Sequence, residues 1–129
     1  MVKVRRTWRL FPLLVFGAGC DGFSLVLGCT EEARPGISAA LVDTVTGLPV
    51  RRGPGLVTAV STERADTVHL PDGDLPPHPI PLAFETGGRY RLEARVEGYR
   101  AWARSDVDVT SGRCHVRTVE ITVWLVPAA

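Results

Sequence analysis

The sequence lacks a long apolar run. An uncharged apolar stretch from Leu10 to Gly19 has only ten residues, whereas a helix that spans a bilayer needs about 20, and Asp21 prevents its extension. No stretch keeps the 3.6-residue period of an amphipathic helix. These two absences argue against a membrane-spanning helix and against a helical bundle.

Recognisable catalytic motifs are absent as well. The sequence contains no Gly-x-Ser-x-Gly, no phosphate-binding loop and no Cys-x-x-Cys. His69, His78 and His115 have none of the short spacings that place two imidazoles on one metal ion. Cys114 and His115 are neighbours in a predicted strand, so we expect them to point to opposite faces. We therefore expect no enzyme, no cofactor and no metal site.

Basic residues do not outnumber acidic ones after the first 19 residues. Four of the 15 basic residues lie before residue 10 and all 14 acidic residues lie after residue 20. From residue 20 onward 11 basic residues face 14 acidic ones, a net charge of −3. Because nucleic-acid binding requires a clustered positive field, we expect no nucleic-acid partner.

The first 19 residues have the organisation of a bacterial signal peptide, in which cations precede a short apolar run. Ala18-Gly19-Cys20 resembles a lipobox, whose cysteine receives diacylglycerol before cleavage, and Val26-Leu27-Gly28-Cys29 is a second candidate. We predict a signal peptide over residues 1–19 and a lipid-anchor and tether segment over residues 20–36. Cys20 is the predicted lipidation site and Cys29 the alternative.

The rest of the chain has the spacing of a β-sandwich. With 13 Gly and 10 Pro among 129 residues, the chain has room for one turn-rich domain. Short apolar stretches are broken about every ten residues, as in all-β folds. The alternation is clearest from Arg89 to Glu97, where Tyr90, Leu92, Ala94 and Val96 form the predicted core face. The proline-rich segment from Pro71 to Pro81 is predicted to be a loop. The seven predicted strands are Ile37 to Asp43, Leu56 to Thr62, Ala65 to Leu70, Ile80 to Phe84, Arg89 to Glu97, Ala101 to Val109 and His115 to Val126.

Two motifs resemble the carboxypeptidase regulatory-like domains. One is the turn Asp43-Thr-Val-Thr46-Gly47-Leu-Pro49, and the other is the hairpin sequence Gly88-Arg-Tyr90-Arg-Leu-Glu-Ala94-Arg-Val-Glu-Gly98-Tyr99. The resemblance implies a single transthyretin-like, or prealbumin-like, β-sandwich over residues 37–129, with Greek-key connections. Members of that family attached to peptidases lack active-site residues in this module, so the resemblance also implies a structural or adhesive role.

Three cysteines in an exported protein leave one over once a disulfide has formed. If Cys20 carries the lipid, Cys29 and Cys114 remain to form a disulfide. If Cys29 is lipidated instead, Cys20 leaves with the signal peptide and Cys114 stays alone. The count favours lipid on Cys20 and a Cys29–Cys114 disulfide.

Two tryptophans mark a candidate binding face. Trp102 follows the Gly98-Tyr99 turn, and Trp124 lies on the outward phase of the last strand with Glu120 and Thr122. An exposed Trp suits stacking on a sugar or on an aromatic partner. The sequence thus predicts a lipid-anchored module of the bacterial cell envelope, in the periplasm or at the cell surface. It is a structural or adhesive module that contacts a glycan or an envelope protein or, as the alternative, a carbohydrate- or peptide-binding module.

Overall fold

The computed structural model describes residues 29–129, which form seven strands joined by loops and contain no helix. The prediction of an all-β sandwich with about seven strands is confirmed. The predicted signal peptide and Cys20 lie outside the described residues. The strands are β1 (Ile37–Asp43), β2 (Arg52–Val60), β3 (Ala65–Asp74), β4 (Ile80–Leu82), β5 (Gly88–Val96), β6 (Trp102–Val109) and β7 (Val119–Leu125).

The strands form two packed sheets, one with the order β4-β1-β7 and the other with the order β3-β2-β5-β6. β1 is central in the first sheet, where it runs parallel to β7 and antiparallel to β4. The second sheet is antiparallel throughout. The chain crosses from one sheet to the other four times: after β1, β3, β4 and β6.

Buried apolar residues alternate with more exposed residues along the strands, and the apolar ones form the core between the sheets. Tyr90, Leu92, Ala94 and Val96 on β5 are at most 3% exposed, so the predicted core face is confirmed. The Tyr90 ring is buried, and its hydroxyl donates a hydrogen bond of 2.9 Å to the carbonyl of Thr86. This bond satisfies the polar group that the ring carries into the core. All of the buried side chains among residues 29–129 are apolar.

A tight turn follows β1, as the sequence motif predicts. Asp43 Oδ1 accepts hydrogen bonds from the main-chain N–H groups of Val45 (2.7 Å) and Thr46 (3.1 Å). Gly47 has a φ of +69°, a conformation that glycine adopts without steric cost, and its N–H donates to the Asp43 carbonyl. The turn therefore depends on one carboxylate and one glycine.

The prediction that Pro71 to Pro81 is a loop was wrong at both ends, because β3 continues to Asp74 and β4 begins at Ile80. The register between β2 and β3 shifts between Gly53 and Gly55, so that Gly53 faces Gly73 while Gly55 faces Leu70. Pro71 lies in this irregular part of the ladder, where a missing N–H is tolerated. The same pairing brings the start of β2 forward to Arg52 from the predicted Leu56.

The last strand was predicted to begin at His115, but β7 begins at Val119. The preceding residues are held in a loop by a bridge between Ser111 and Val116 and by a hydrogen bond from Arg117 N–H to the Thr110 carbonyl. Cys114 and His115 are therefore loop residues.

The core assignment is tested by a cavity mutation on β5. Leu92→Ala removes a side chain that is 0% exposed and should lower the free energy of unfolding by about 2–5 kcal/mol. Arg95→Ala, at an exposed position of the same strand, should change it by no more than about 0.5 kcal/mol. Urea unfolding measures both variants, and equal losses would contradict the assigned faces.

Candidate functional site

The segment before β1 is fastened to one end of the sandwich. Cys29 and Cys114, 85 positions apart in sequence, have their Cα atoms 5.3 Å apart. This separation lies within the range of about 4.4–6.8 Å that disulfides span. Cys29 and Cys114, which the number of cysteines in the sequence predicts to be paired, are thus at disulfide-bonding distance.

Three polar side chains lie in a row beside the cysteines. Thr30 Oγ1 is 3.1 Å from His115 Nε2, and His115 Nδ1 is 2.6 Å from Glu85 Oε1. When Nδ1 carries the proton, the imidazole donates to Glu85 and accepts from the Thr30 hydroxyl. The His115 side chain is 14% exposed and that of Glu85 34% exposed, so the row is partly shielded from solvent.

Glu85 also holds main-chain groups from two segments. Its Oε1 accepts a hydrogen bond of 2.8 Å from Arg34 N–H, and its Oε2 accepts a longer one from Val116 N–H. The bond from Arg34 and then the bond to His115 keep the pKa of Glu85 below its ordinary value. Hydrogen bonds to a carboxylate favour its charged form, so Glu85 is an anion that binds the tether to the loop before β7.

Main-chain hydrogen bonds extend the same contact along the tether. Glu85 N–H donates to the Arg34 carbonyl, and Gly36 N–H donates to the Ala83 carbonyl, both at 3.0 Å. Thr118 Oγ1 donates to the Pro35 carbonyl at 2.7 Å. We call the set Cys29, Thr30, Arg34, Glu85, Cys114 and His115 the tether clamp.

The prediction that Cys114 and His115 point to opposite faces was wrong, because they lie in a loop and both turn toward the tether. Sequence reasoning did not single out Thr30 or Glu85. A signal for Thr30 was present, since Thr30 follows Cys29 and His115 follows Cys114. A predicted disulfide between those cysteines brings the two following residues close together.

The structure places the two predicted binding tryptophans differently. Trp124 is 53% exposed on the outer face of the β4-β1-β7 sheet. Trp102 lies on β6 of the other sheet, opposite the buried Ala94, and packs against the core. They do not share one face, and Trp124 is the more exposed of the two, since Trp102 is partly buried.

Another polar contact closes the end of the sandwich where β1 stops. The Tyr99 hydroxyl donates a hydrogen bond of 2.7 Å to Asp43 Oδ2. This bond, followed by those from Thr46 and Val45, lowers the pKa of Asp43, and the same bond raises the pKa of Tyr99. The pair borders a cavity of about 590 Å³. Both Asp43 oxygens already serve the turn and Tyr99, so we assign Asp43 a structural role.

The two remaining histidines border a different cavity. His69 and His78 line a space of about 380 Å³ with apolar side chains such as Leu41, Leu70 and Ile80. The described residues 29–129 contain no group of three His, Cys, Asp or Glu side chains placed to hold a metal ion. They also contain no helix long and apolar enough to cross a membrane.

No protein-family model matches the chain, and no curated protein matches it. Function is therefore inferred from the residues and their contacts.

Glu85 should make stability depend on pH. Because its folded pKa lies below the ordinary value of 4.5, its contribution is present above that pH and is lost as the pH falls through the folded value. Glu85→Gln should lower the free energy of unfolding at pH 7, and the difference from the wild type should shrink as the pH falls below about 4.

Urea unfolding at several pH values measures this difference. Glu31→Gln, at an exposed position of the tether, serves as the control and should have little effect at any pH. A Glu85→Gln deficit that stays constant down to pH 2 would show that the charge of Glu85 is not what holds the clamp.

Proposed function

We propose that this chain is an exported, non-catalytic β-sandwich module of the bacterial cell envelope, held at a membrane by lipid on Cys20, with a structural or adhesive role. The observation that carries the proposal is the distance between Cys29 and Cys114. Disulfides form and persist in oxidising compartments and are rare in the cytosol. The net charge of −3 from residue 20 onward also argues against a nucleic-acid partner.

The position of the tether clamp supports an anchoring role. Residues 20–28 separate the predicted lipid from Cys29, and nine residues span at most about 30 Å when fully extended. A lipid on Cys20 would therefore keep the clamped end of the sandwich close to the bilayer. Tension on the tether would pass through the Cys29–Cys114 contact to the sandwich, and the opposite end, with Asp43 and Tyr99, would face away from the membrane.

The row of Thr30, His115 and Glu85 has the same order of groups as a hydrolase triad. In this chain Thr30 belongs to the fastened segment itself, and Glu85 also binds Arg34 of that segment. We therefore assign the three side chains to fastening. Under this assignment the protein hydrolyses p-nitrophenyl acetate no faster than its Thr30→Ala variant.

The anchor is tested by cell fractionation. Cys20→Ser should move the protein from the membrane to the soluble fraction, or leave it uncleaved, because the thiol that accepts the lipid is gone. The double variant Cys29→Ser with Cys114→Ser should stay with the membrane. Continued acylation of Cys20→Ser would place the lipid on Cys29 and overturn the proposal.

Mass spectrometry of the wild-type protein from membranes completes that test. The amino-terminal peptide should begin at Cys20 and carry the mass of a diacylglycerol. Under non-reducing conditions the peptides with Cys29 and Cys114 should be joined, and free thiols at both positions would remove the main support for export.

The exposed ring of Trp124 favours a second candidate function, a carbohydrate- or peptide-binding module of the same fold. Thr122 lies beside Trp124 on the outer face and is also exposed, which leaves the ring accessible for stacking on a sugar. Binding on a glycan array that is lost in Trp124→Ala and kept in Trp102→Phe would support carbohydrate binding. Equal loss in both variants would point to damage to the fold.

A further inference from the structure

The hydrophobic core is covered less completely at one place than elsewhere. Among the buried hydrophobic residues of the described part of the chain, five are 7–9% exposed and the others are at most 6% exposed. All five line the cavity of about 380 Å³ that His69 and His78 border. They are Leu41, Val50, Leu70, Leu75 and Ile80. The remaining exposure of the core is therefore concentrated at this cavity, which we call the edge cavity.

The edge cavity lies where the short strand β4 stops covering β1. The pairing of β4 with β1 ends at Ala39 opposite Ile80, and the next main-chain bond on that side of β1 is from Val50 N–H to the Leu41 carbonyl. Residues 40–42 of β1 form one wall of the cavity, residues 68–71 of β3 form another, and the loop over residues 75–79 closes a third side. The cavity is thus a gap between the edges of the two sheets.

Proline prevents the chain from closing this gap with a longer β4. A proline has no N–H to donate to a ladder, and its ring fixes φ, so a proline-rich wall neither extends the pairing nor collapses freely into the cavity. The same lack of N–H groups argues against an added peptide strand as the occupant. The prolines that line the cavity on the β3–β4 side are Pro71, Pro76, Pro77, Pro79 and Pro81.

The lining of the edge cavity determines the chemistry of a ligand. Among the described residues that line it there is no Asp, Glu, Lys or Arg, so a charged ligand would lose its hydration without gaining an ion pair. Mainly apolar cavities of about 300–1,000 Å³ are typical of small-molecule sites. An apolar cavity of about 150 Å³ holds one benzene ring, so the edge cavity has room for about two or three rings.

We propose that the edge cavity binds a small, uncharged aromatic molecule of about two or three rings. Its rings would pack on Leu41, Leu70 and Ile80, the core side chains that reach the cavity from β1, β3 and β4. Burial of apolar surface on both the ligand and these side chains supplies the affinity. The bound molecule would complete the cover of the core at the one edge where the main chain leaves it open.

This inference goes beyond the proposed envelope role and does not depend on it. A failure of the cavity to bind the aromatic probe named below would overturn the cavity site and leave the lipid anchor unaffected. Loss of membrane retention by the wild-type protein with probe binding intact would overturn the anchor alone.

The test is an NMR titration of the full chain with 2-naphthol, an uncharged molecule of two fused rings. At saturation, the methyl groups of Leu41, Leu70 and Ile80 should show nuclear Overhauser contacts to the naphthol ring protons, because these side chains line the cavity. The methyl groups of Leu92 and Leu125 are the internal control. Both residues are 0% exposed and lie outside the cavity lining, so their methyl groups should show no such contacts.

Matched variants separate the cavity from other apolar surface. Val68 lines the cavity and packs against the core, so Val68→Trp should fill the space and weaken 2-naphthol binding at least about tenfold. Val60→Trp adds the same ring at a 42% exposed position outside the cavity lining and should bind within about twofold of the wild type.

A matched ligand gives the same test on the wild-type protein, whether or not Val68→Trp folds. The anion 2-naphthoate has the same two rings as 2-naphthol but carries a carboxylate. Because no cationic Lys or Arg lines the described cavity, 2-naphthoate should bind at least about tenfold more weakly than 2-naphthol at pH 7.5.

Four results would overturn the proposal. The naphthol could fail to bind, or it could contact the exposed Trp124 ring and not the cavity methyl groups. The naphthoate could bind as tightly as the naphthol, which would mean that apolar contact in a shielded cavity does not select the ligand. The cavity methyl resonances could shift with protein concentration in the absence of naphthol, which would identify a second copy of the chain as the occupant.

Discussion

The parallel pairing of β1 with β7 is the constraint on which the arrangement of the molecule depends. β1 lies between β4 and β7, and the pairing runs in register from Ile37 opposite Val119 to Asp43 opposite Leu125. It fixes the tether at one end of the sandwich, because the tether leads directly into Ile37. At the other end it places Asp43 where the turn and Tyr99 meet. By using one side of β7, it also leaves the other side as a sheet edge.

Carboxylates near the surface that accept main-chain N–H groups close both ends of the sandwich. Strand ends leave main-chain groups without ladder partners, and Glu85 and Asp43 each accept two of them. Each carboxylate then bonds one side chain from a distant segment, His115 or Tyr99. For this reason both carboxyl groups have lowered pKa values although they lie near the surface. At each end, the same carboxylate therefore holds a loop in shape and joins it to a segment far away in sequence.

The faces of the strands were predictable from the sequence, because side chains along a strand alternate between its two faces with a period of two residues. Alternation along a strand is local, so the buried faces of β5 and β7 could be assigned from neighbouring residues alone. Asp43 and Gly47 were likewise predictable, since a turn involves a few consecutive residues. Of the tether clamp, only the cysteine pair and the closeness of Thr30 to His115 that follows from it were predictable. The Glu85 contacts join three loops that are far apart in sequence, and no periodic pattern specifies which loop residues meet.

The errors at β3 and β7 have a common physical origin. Proline at Pro71 argues against a strand unless the partner strand is irregular at that point, and the shift between Gly53 and Gly55 that permits it is a property of β2. The β-branched residues Val116 and Thr118 favour a longer β7, but the Ser111–Val116 bridge holds this segment in a loop. In both cases, the segment with which a residue pairs decides whether that residue lies in a strand or in a loop.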